Sequence, residues 1–431
     1  MKAVVVALGK IGLPIAAQLT RTGHTVTGCD IDASVVETVN AGRAPFPNEA
    51  GLDEALADAV AAGTLTATTD TAAAIAAGPD LVIAVPPLVV DANGHPDWSA
   101  LDAVSTDIGR GLAAAAQAGH RRTVVAIETT LPVGTTRSRI APLIAAVSGL
   151  EPGVDFHVVF SPERVFSGRI LQDLATYPKL VGGLDSHGEA RGVGLYTAFL
   201  PDVEVRPMGG AEAAELTKLA ETTYRDINIG FANELARHAD ALGVDVQRVI
   251  DAANSQPFSH IHRPGVAVGG HCIPVYPRFY LFGDRDAQLP AVARQVNEAM
   301  PAYAVGVLQG LLGGLEGARV LILGVAYRGG VKETAFSGAV PLRDNLRARG
   351  AVALAADPLY SPDELRALGF DPWDGMPVHG AIVQADHAEY ARLKPADLAG
   401  VRGIVDGRGI VDPAPFTAVG IPVRRLGGGS D

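Results

Sequence analysis

The chain has 431 residues, 48% of them hydrophobic, so it is long enough to fold as two or three domains, each with its own core. Its formal net charge of −12 disfavours nucleic-acid binding, because a phosphate backbone attracts basic surfaces. The two cysteines, Cys29 and Cys272, lie far apart in unlike contexts, so no disulfide framework is predicted. No basic leader and no stretch long enough to span a bilayer is present, so we expect a cytoplasmic protein that binds no membrane.

The N-terminal part of the sequence alternates buried strands with helices. Residues 2–8 form an apolar run, which is followed by a glycine turn, a helical pattern and a short strand at 26–29. The buried-strand signal returns at 81–85 and 123–127, on either side of an alanine-rich helical stretch at 101–118. This pattern predicts an α/β fold with a doubly wound, Rossmann-like domain over residues 1–205.

The rest of the chain begins with a long helical pattern. Residues 211–241 are rich in Ala, Leu, Glu and Arg and predict one helix joining two lobes, within a helical dimerisation region at 206–300. A strand and glycine turn after Gly317, a helix near 340–349 and a strand in 352–358 then predict a second Rossmann-like domain over 301–425. Residues 426–431 are predicted to form a disordered tail.

The turn after the first strand suggests a dinucleotide site. Gly9 and Gly12 occupy the last two glycine positions of a GxGxxG turn, and Ala7 stands at the first. Gly9 would let backbone N–H groups approach a pyrophosphate, and Gly12 would let helix and strand pack closely. Asp30 follows the second strand, where a carboxylate binds the adenine ribose of NAD and disfavours NADP. The alternatives are a plain tight turn at Gly9 and a helix cap at Asp30, although Asp32 is the better candidate for the cap.

The segment HRPGVAVGGHCIPVYP surrounds Cys272 with glycines and prolines, which suits a loop whose backbone approaches a ligand. A lone cysteine is more often a small buried apolar residue than a nucleophile, so this segment alone does not assign a role to Cys272.

With these motifs in place, the sequence resembles the UDP-glucose/GDP-mannose dehydrogenase family, especially its branch acting on UDP-N-acetylhexosamines (mannosamine or glucosamine). The resemblance covers almost the whole chain in family order. Besides the cysteine segment it includes residues 9–14, 49–52, 129–135 (TTLPVGT), 161–164 (SPER), 218, 223–225, 233–234, 323–327, 386–387 and 406–408.

The resemblance implies two successive hydride transfers from a sugar C6 alcohol to NAD, giving a uronic acid. Cys272 would capture the intermediate aldehyde as a thiohemiacetal, which is oxidised to a thioester and hydrolysed. Lys218 would stabilise the oxyanion, Glu163 would handle protons or position water, and Thr130 would lie near the nicotinamide. Without the resemblance, Lys218 is a solvated helix lysine, Glu163 a turn residue and Thr130 a strand-end residue.

The resemblance also implies the cofactor, the remaining ligand contacts and a homodimer. The cofactor contacts would be Gly9, Lys10, Ile11, Gly12, Asp30, Val85, Pro86, Thr130 and Glu163. The substrate contacts would be Glu163, Arg164, Lys218, Phe258, Gly269, Gly270, Tyr327 and Arg328. No metal-ligand spacing is present in the sequence.

Several positions near the expected chemistry depart from the family pattern. Thr222 replaces an asparagine one turn after Lys218, and Tyr276 replaces an aspartate associated with activating the cysteine or the hydrolytic water. Phe258 and Ala335 replace arginines that contact anionic ligand groups, and Pro87 replaces a threonine. We nevertheless include Thr222 and Tyr276 among the candidate catalytic residues. Possible compensating cations are Arg263, Arg278, Arg328 and Lys332.

Three hypotheses follow from the sequence. The first is oxidation of a nucleotide-linked hexose or N-acetylhexosamine to the uronic acid, with Glu163 taking over part of the missing aspartate's work. The second is a specialised-metabolism oxidoreductase that acts on an atypical nucleoside or nucleotide sugar and stops after one hydride transfer. The third is a binding homologue without turnover, which is disfavoured because Cys272 and Lys218 are retained.

Overall fold

The computed structural model describes residues 1–47, 49–91, 94–166 and 168–429. The chain divides into two compact units, Met1–Glu221 and Thr222–Asp431. The first unit ends inside the long helix, later than the predicted boundary at residue 205. The finer division into three domains stays a prediction.

The first unit is built from alternating strands and helices. Its strands are β1 Lys2–Val6, β2 Thr25–Cys29, β3 Leu65–Thr68, β4 Leu81–Ala84, β5 Val89–Val90, β6 Pro96–Asp97, β7 Val124–Ile127, β8 His157–Phe160, β9 Lys179–Gly183 and β10 Val205–Pro207. Its helices are α1 Gly12–Arg21, α2 Ala33–Asn40, α3 Leu52–Ala61, α4 Thr71–Ala76, α5 Ser99–Gln117, α6 Ala141–Ser148, α7 Ile170–Leu174 and α8 Ser186–Phe199, with a π-helix at Thr136–Ile140. A long helix, α9 Ala211–Leu242, begins in this unit, as predicted.

Among the described residues, the main sheet of the first unit has the order β10-β9-β8-β7-β4-β1-β2-β3. Strands β1 to β4, β7 and β8 pair in parallel, as predicted for a doubly wound fold. Strand β9 instead pairs antiparallel with β8, and β10 follows the direction of β9. The connection from β8 to β9 contains the short helix α7 and does not carry the chain back to the end of the sheet where β8 begins. Strand β9 therefore begins beside the carboxyl end of β8 and runs in the opposite direction.

The second unit contains the rest of α9 and a smaller α/β layer. Its further helices are α10 Val246–Asn254, α11 Tyr276–Gly283, α12 Gln288–Leu312, α13 Ala339–Arg347, α14 Pro362–Ala367 and α15 Ala414–Thr417, with 3₁₀ turns at Ala388–Arg392 and Pro395–Asp397. Its strands are β11 Arg319–Leu323, β12 Val352–Ala356, β13 Asp371–Pro372, β14 Gly380–Val383, β15 Ile404–Asp406 and β16 Val423–Arg425. They form one parallel sheet of order β13-β12-β11-β14-β15-β16, which confirms the second Rossmann-like layer.

The end of the described chain is packed, which differs from the predicted tail at 426–431. Leu426 is 3% exposed, and the Gly427 N–H donates to Asp240 at 3.0 Å. A Cβ on Gly427 would lie 2.5 Å from Val246 and 2.8 Å from Ala236, so the glycine run reflects close packing. Residues 430 and 431 of the predicted tail lie outside the described residues.

Among the described residues, no helix combines the length and apolar character that crossing a membrane would require. Within the same residues, no group of three or more His, Cys, Asp or Glu side chains is arranged to hold a metal ion.

Candidate active site

The strand order of the first unit reverses between β1 and β4, which is where doubly wound sheets bind ligands beyond the carboxyl ends of their strands. The turn at 7–12 follows β1, and Asp30 follows β2. The segment 85–87 follows β4, and Thr129 and Thr130 come shortly after β7. The topology therefore brings the predicted cofactor residues to one edge of one sheet.

The turn after β1 has the backbone of a dinucleotide-binding loop despite its missing glycine. Ala7 adopts a left-handed φ of 72°, a conformation that favours glycine. A Cβ on Gly12 would lie 2.0 Å from the Ala7 carbonyl oxygen, so only glycine permits this contact between turn and helix. A Cβ on Gly9 would meet nothing within 4 Å, so the turn is open where a ligand would approach. The exposed Lys10 and the half-buried Ile11 lead from this opening into α1.

The carboxylate of Asp30 is fixed beside this turn. One oxygen accepts a hydrogen bond from the Leu8 N–H at 2.8 Å and the other accepts one from the Asp32 N–H at 3.0 Å. Each oxygen keeps a lone pair for a ribose hydroxyl. Asp32 is the N-cap of α2 and accepts from the Ser34 N–H, so Asp30 is not the cap. The open glycine turn, the N-terminus of α1 and Asp30 together fit the pyrophosphate and ribose of NAD.

We predict that Ala7→Gly stabilises the first unit. Removing the Cβ from a residue in the left-handed conformation removes about 1–2 kcal/mol of strain from the folded state. The greater conformational freedom of glycine in the unfolded chain offsets about 0.5–1 kcal/mol of this gain. The net gain in the free energy of unfolding should be about 0.5–1 kcal/mol, measured by thermal or urea unfolding. As a control, Ala3→Gly in the extended strand β1 should destabilise the unit, and destabilisation by Ala7→Gly would contradict the prediction.

The loops after β4 and β7 are tied together. The Thr129 hydroxyl donates to the Pro86 carbonyl at 2.5 Å, and the Val85 N–H donates to the Val6 carbonyl at 3.0 Å. Thr130 is 6% exposed, and Pro86 is buried as well. These contacts hold the predicted cofactor segments in fixed positions relative to β1.

Helix α9 is anchored to the first unit by three glutamates along its first turns. Glu212 pairs with Arg137, and the buried Glu215 accepts from the N–H of Gly134 at 2.5 Å and of Thr136 at 2.9 Å. Glu221 pairs with Arg164 at 2.6 Å. Burial raises the pKa of the Glu215 carboxyl, and its bonds to Thr136 and Gly134 oppose this. These anchors fix the helical turn that carries Lys218, and Thr222 follows one turn later.

Lys218 and Glu163 lie together within the first unit. Lys218 is 8% exposed, and its Nζ donates to the Glu163 carbonyl oxygen at 2.5 Å. The Arg164 N–H donates to Glu163 Oε1 at 2.6 Å, and Lys179 donates to Glu163 Oε2 at 3.0 Å. Lys218 is therefore not the solvated helix lysine of the alternative interpretation.

Three buried residues behind Glu163 were not predicted from the sequence. Lys179 also donates to Glu128 at 2.6 Å, and the Tyr196 hydroxyl donates to the second oxygen of Glu128. All three side chains are buried. Their sequence signal is weak, since Glu128 ends one apolar run and Lys179 begins another, with 51 positions between them.

Cys272 lies in the second unit as an exposed, free thiol. Its carbonyl accepts from the N–H groups of Val275 at 3.2 Å and Tyr276 at 2.9 Å, and helix α11 begins at Tyr276. The Gly270 N–H donates to the Ala335 carbonyl at 2.8 Å, so the loop is attached to the segment after β11. His271 contacts Glu333 on the same segment.

The glycines before Cys272 are packed closely against the rest of the second unit. A Cβ on Gly269 would lie 2.6 Å from Tyr327 and 3.0 Å from the Phe336 carbonyl oxygen, and Gly270 has a left-handed φ of 93°. Close packing within the second unit therefore already requires small residues here. Substrate contacts by Gly269, Gly270 and Tyr327 stay predictions.

The remaining predicted residues of the second unit have these surroundings. Tyr276 stacks on Phe279 with ring centroids 5.9 Å apart. The Arg328 guanidinium lies over the Tyr327 ring at 5.8 Å, and Arg328 Nε donates to the Tyr327 hydroxyl at 3.3 Å. Phe258 is 92% exposed. An exposed aromatic ring of this kind is available to a ligand or a partner surface.

Asp357 follows β12 at a position in the second sheet that resembles that of Asp30 in the first. It accepts from the N–H groups of Val325 at 2.8 Å, Ala326 at 3.2 Å and Leu359 at 2.9 Å, and it lies 3.2 Å from His387 Nε2. Burial alone would raise the pKa of Asp357, but His387 and these backbone donors together hold it below its usual value.

We predict that Asp357→Asn destabilises the second unit in a pH-dependent way. Because the folded state depresses this pKa, the stabilisation is present above the unfolded pKa of about 3.9 and is lost as pH falls through the folded value. The variant should lose about 1–3 kcal/mol at neutral pH, with the gap to the native chain closing in acid. Urea unfolding at neutral pH and at acidic pH measures the difference in the free energy of unfolding between the variant and the native chain. Asp371→Asn, which breaks only an exposed pair with Arg347, should cost about 0.5 kcal/mol or less, and a pH-independent gap would contradict the prediction.

Comparison with known proteins identifies the family. The family models for the NAD-binding and central domains of the UDP-glucose/GDP-mannose dehydrogenase family match residues 1–200 and 212–299. A UDP-N-acetyl-D-mannosamine dehydrogenase from Pyrococcus horikoshii is 33% identical over 445 residues, covering 100% of both chains. An NDP-N-acetyl-D-galactosaminuronic acid dehydrogenase from Ralstonia nicotianae is 33% identical over 345 residues, covering 78% of each chain.

The solved structure of the UDP-D-ManNAc dehydrogenase from Pyrococcus horikoshii matches with a TM-score of 0.87 at 31% identity, covering 100% of both chains. The full-length identity and the matched NAD-binding model agree with the open glycine turn and the placement of Asp30. This chain therefore belongs to the UDP-glucose/GDP-mannose dehydrogenase family and is an NAD-dependent oxidoreductase.

Proposed function

We propose that this chain oxidises the C6 primary alcohol of a UDP-N-acetylhexosamine to the uronic acid. The observation that carries the proposal is that Lys218 and Glu163 lie together in the first unit of an NAD-dependent fold. The Lys218 amine donates to the Glu163 backbone carbonyl, and the Glu163 carboxylate is held by Lys179. The names of the similar proteins, which specify N-acetylmannosamine and N-acetylgalactosaminuronic acid, support the substrate class.

The chain supplies three groups for this chemistry, and bound NAD accepts the hydride in each oxidation. The Cys272 sulfur adds to the aldehyde carbon, and the carbonyl oxygen takes up a proton to give a thiohemiacetal. After the second oxidation, water attacks the resulting thioester, which releases the carboxylic acid and returns the thiol. Because Cys272 is exposed and unpaired with Cys29, its sulfur is available for this addition.

Lys218 and Glu163 have complementary roles in the proposal. The ammonium of Lys218 stabilises the negative charge that develops on the substrate oxygen. The Glu163 carboxylate accepts a proton from the substrate hydroxyl or from the hydrolytic water. Thr130 is proposed to lie at the nicotinamide end of the cofactor, and Arg164 is proposed as a substrate contact.

A second candidate function rests on Tyr276. The Tyr276 side chain, which stacks on Phe279, is a phenol and brings no carboxylate to the position where an aspartate would help to activate the cysteine. If no other group activates the Cys272 thiol, the aldehyde from the first oxidation is not captured, so the reaction stops after one oxidation and releases the aldehyde.

A substrate screen tests the proposal. Purified protein and NAD are incubated with UDP-N-acetyl-D-mannosamine, UDP-N-acetylgalactosamine, UDP-N-acetylglucosamine and UDP-glucose, and products are identified by mass. The proposal predicts an acid from an N-acetylhexosamine substrate, with slower turnover of UDP-glucose. An aldehyde as the final product supports the second candidate, and turnover of none of the four contradicts the proposed substrate class.

We also propose that the chain forms a homodimer through α9. Large apolar side chains recur along this helix at helical spacing and are exposed, namely Leu216 (45%), Tyr224 (58%) and Phe231 (49%). A second copy of the same helix would cover such a stripe. Light scattering should give twice the chain mass, and Phe231→Glu should shift it toward the monomer.

A further inference from the structure

The direction of β9 places a lysine beside the proposed catalytic carboxylate. Strand β9 pairs antiparallel with β8, with Val159 opposite Gly183 and Phe160 opposite Gly182. If this register is continued past the strand ends, Lys179, the first residue of β9, lies opposite Glu163. A parallel β9 would have placed its first residue at the other edge of the sheet.

Lys179 joins two carboxylates that come from different loops. Its Nζ donates to Glu128 Oε2 at 2.6 Å and to Glu163 Oε2 at 3.0 Å, and it lies 5.3 Å from the centre of the Tyr196 ring. The side chains of Lys179, Glu128 and Glu163 are 7%, 0% and 10% exposed, so water screens these charges weakly.

The charges of this cluster depend on one another. Burial lowers the pKa of Lys179, but Glu128 and Glu163 outweigh this and raise it, so the amine stays charged. Burial raises the pKa of Glu128, and Lys179 opposes that change. Without the ammonium, two neighbouring carboxylates would face each other in a buried setting, where one of them would take up a proton.

Lys179 differs from Lys218 in what it holds. Lys218 reaches the backbone carbonyl of Glu163, whereas Lys179 reaches the carboxylate itself. The other carboxylate oxygen accepts from the Arg164 N–H at 2.6 Å. The side chain of Glu163 is thus held at both oxygens, at one by the Arg164 N–H and at the other by the Lys179 ammonium.

We propose that Lys179 is a positioning residue that holds the Glu163 carboxylate in its reactive orientation and charged form, with Glu128 and Tyr196 fixing Lys179 in turn. This inference rests on the proposed function, because it assigns Lys179 a role through Glu163. The charged groups near Glu163 are Lys179, Glu128, Lys218 and Arg164, and the phenol of Tyr196 faces Glu128.

The test compares Lys179→Met, Lys179→Arg and Glu128→Gln with the native chain, using UDP-N-acetyl-D-mannosamine and NAD. Lys179→Met should lower kcat by roughly 10-fold to 100-fold with little change in KM for NAD. Because this variant lacks the cation beside the carboxylate, the acidic limb of its kcat/KM profile should move up by about one pH unit. Lys179→Arg keeps a cation beside Glu163, so the acidic limb of its kcat/KM profile should stay at the native pH.

Two further measurements separate positioning from structural support. Glu128→Gln removes the second carboxylate that Lys179 binds beside Glu163. Although this substitution also disturbs the cluster, the acidic limb of its kcat/KM profile should lie at the same pH as in the native chain or at a lower pH. In a Glu163→Gln background, Lys179→Met should cause no further loss of kcat, because the group it acts through is already absent. If Lys179→Met does not fold, the kcat/KM profiles of Glu128→Gln and Lys179→Arg still test the role of Lys179.

The outcomes distinguish this inference from the proposed function. An unmoved acidic limb in Lys179→Met, an upward shift in Glu128→Gln, or additive losses in the Glu163→Gln background would overturn the role of Lys179 alone. Native activity that survives Glu163→Gln unchanged, or no turnover of any UDP-N-acetylhexosamine by the native chain, would overturn the proposed function and the role of Lys179 with it.

Discussion

Replacing Cys272 with alanine is expected to lower uronic acid formation by about 10³-fold or more, since loss of a covalent nucleophile has effects of this size or larger. Without the thiol, the aldehyde has no acceptor that converts it to a thioester. The first oxidation does not use the sulfur, so the variant should still form one NADH per substrate and release aldehyde. Product mass and NADH absorbance measured in one reaction check both expectations.

Cys29→Ala is the matched control. Cys29 is buried, and burial raises its pKa to about 12, so it is a neutral thiol at physiological pH. This variant should be somewhat less stable because it leaves a small cavity, while its ratio of acid to NADH stays native. Undiminished acid formation by Cys272→Ala would exclude the covalent route.

Lys218→Met is expected to lower kcat by about 10²–10³-fold, the usual cost of removing a group that stabilises a developing oxyanion. The loss should fall mainly on kcat rather than on KM, because this charge develops only in the transition state. Methionine preserves much of the apolar stem of lysine, so the change isolates the ammonium. Steady-state kinetics measure kcat and KM separately, and single-turnover rates show whether the chemical step itself is slowed.

Arg137→Ala serves as the control for anchoring of α9. Arg137 pairs with Glu212 two turns before Lys218, but its side chain is 51% exposed, so its loss should change kcat by about twofold or less. Equal losses in Arg137→Ala and Lys218→Met would mean that Lys218 acts by holding the helix rather than by its charge.

The predicted strands at 26–29, 81–85, 123–127 and 352–358 correspond to β2, β4, β7 and β12, because short apolar runs are local signals. The strands β3, β8, β9 and β10 were not predicted. The long helix predicted at 211–241 is Ala211–Leu242 in the structure. The direction of β9 was not predictable in this way. Its residues KLVGG form a buried run that reads the same in a parallel or an antiparallel strand, and direction depends on the connection through α7.

The candidate site was predicted unevenly for a similar reason. The close packing at Gly12 was predicted, because a contact between turn and helix is local in sequence, whereas its contact with the cofactor stays a prediction. The packing of Gly269 on Tyr327 depends on a distant segment, so the sequence suggested only a ligand contact. Lys179 and Glu128 meet only because β9 reverses direction, and no spacing rule indicates such a pair.

The most direct test of the central claim is the number of NADH molecules formed per molecule of product from UDP-N-acetyl-D-mannosamine. The proposed oxidation through Cys272 predicts two NADH per uronic acid, with no free aldehyde accumulating. One NADH per molecule of stable aldehyde from the native chain would contradict it.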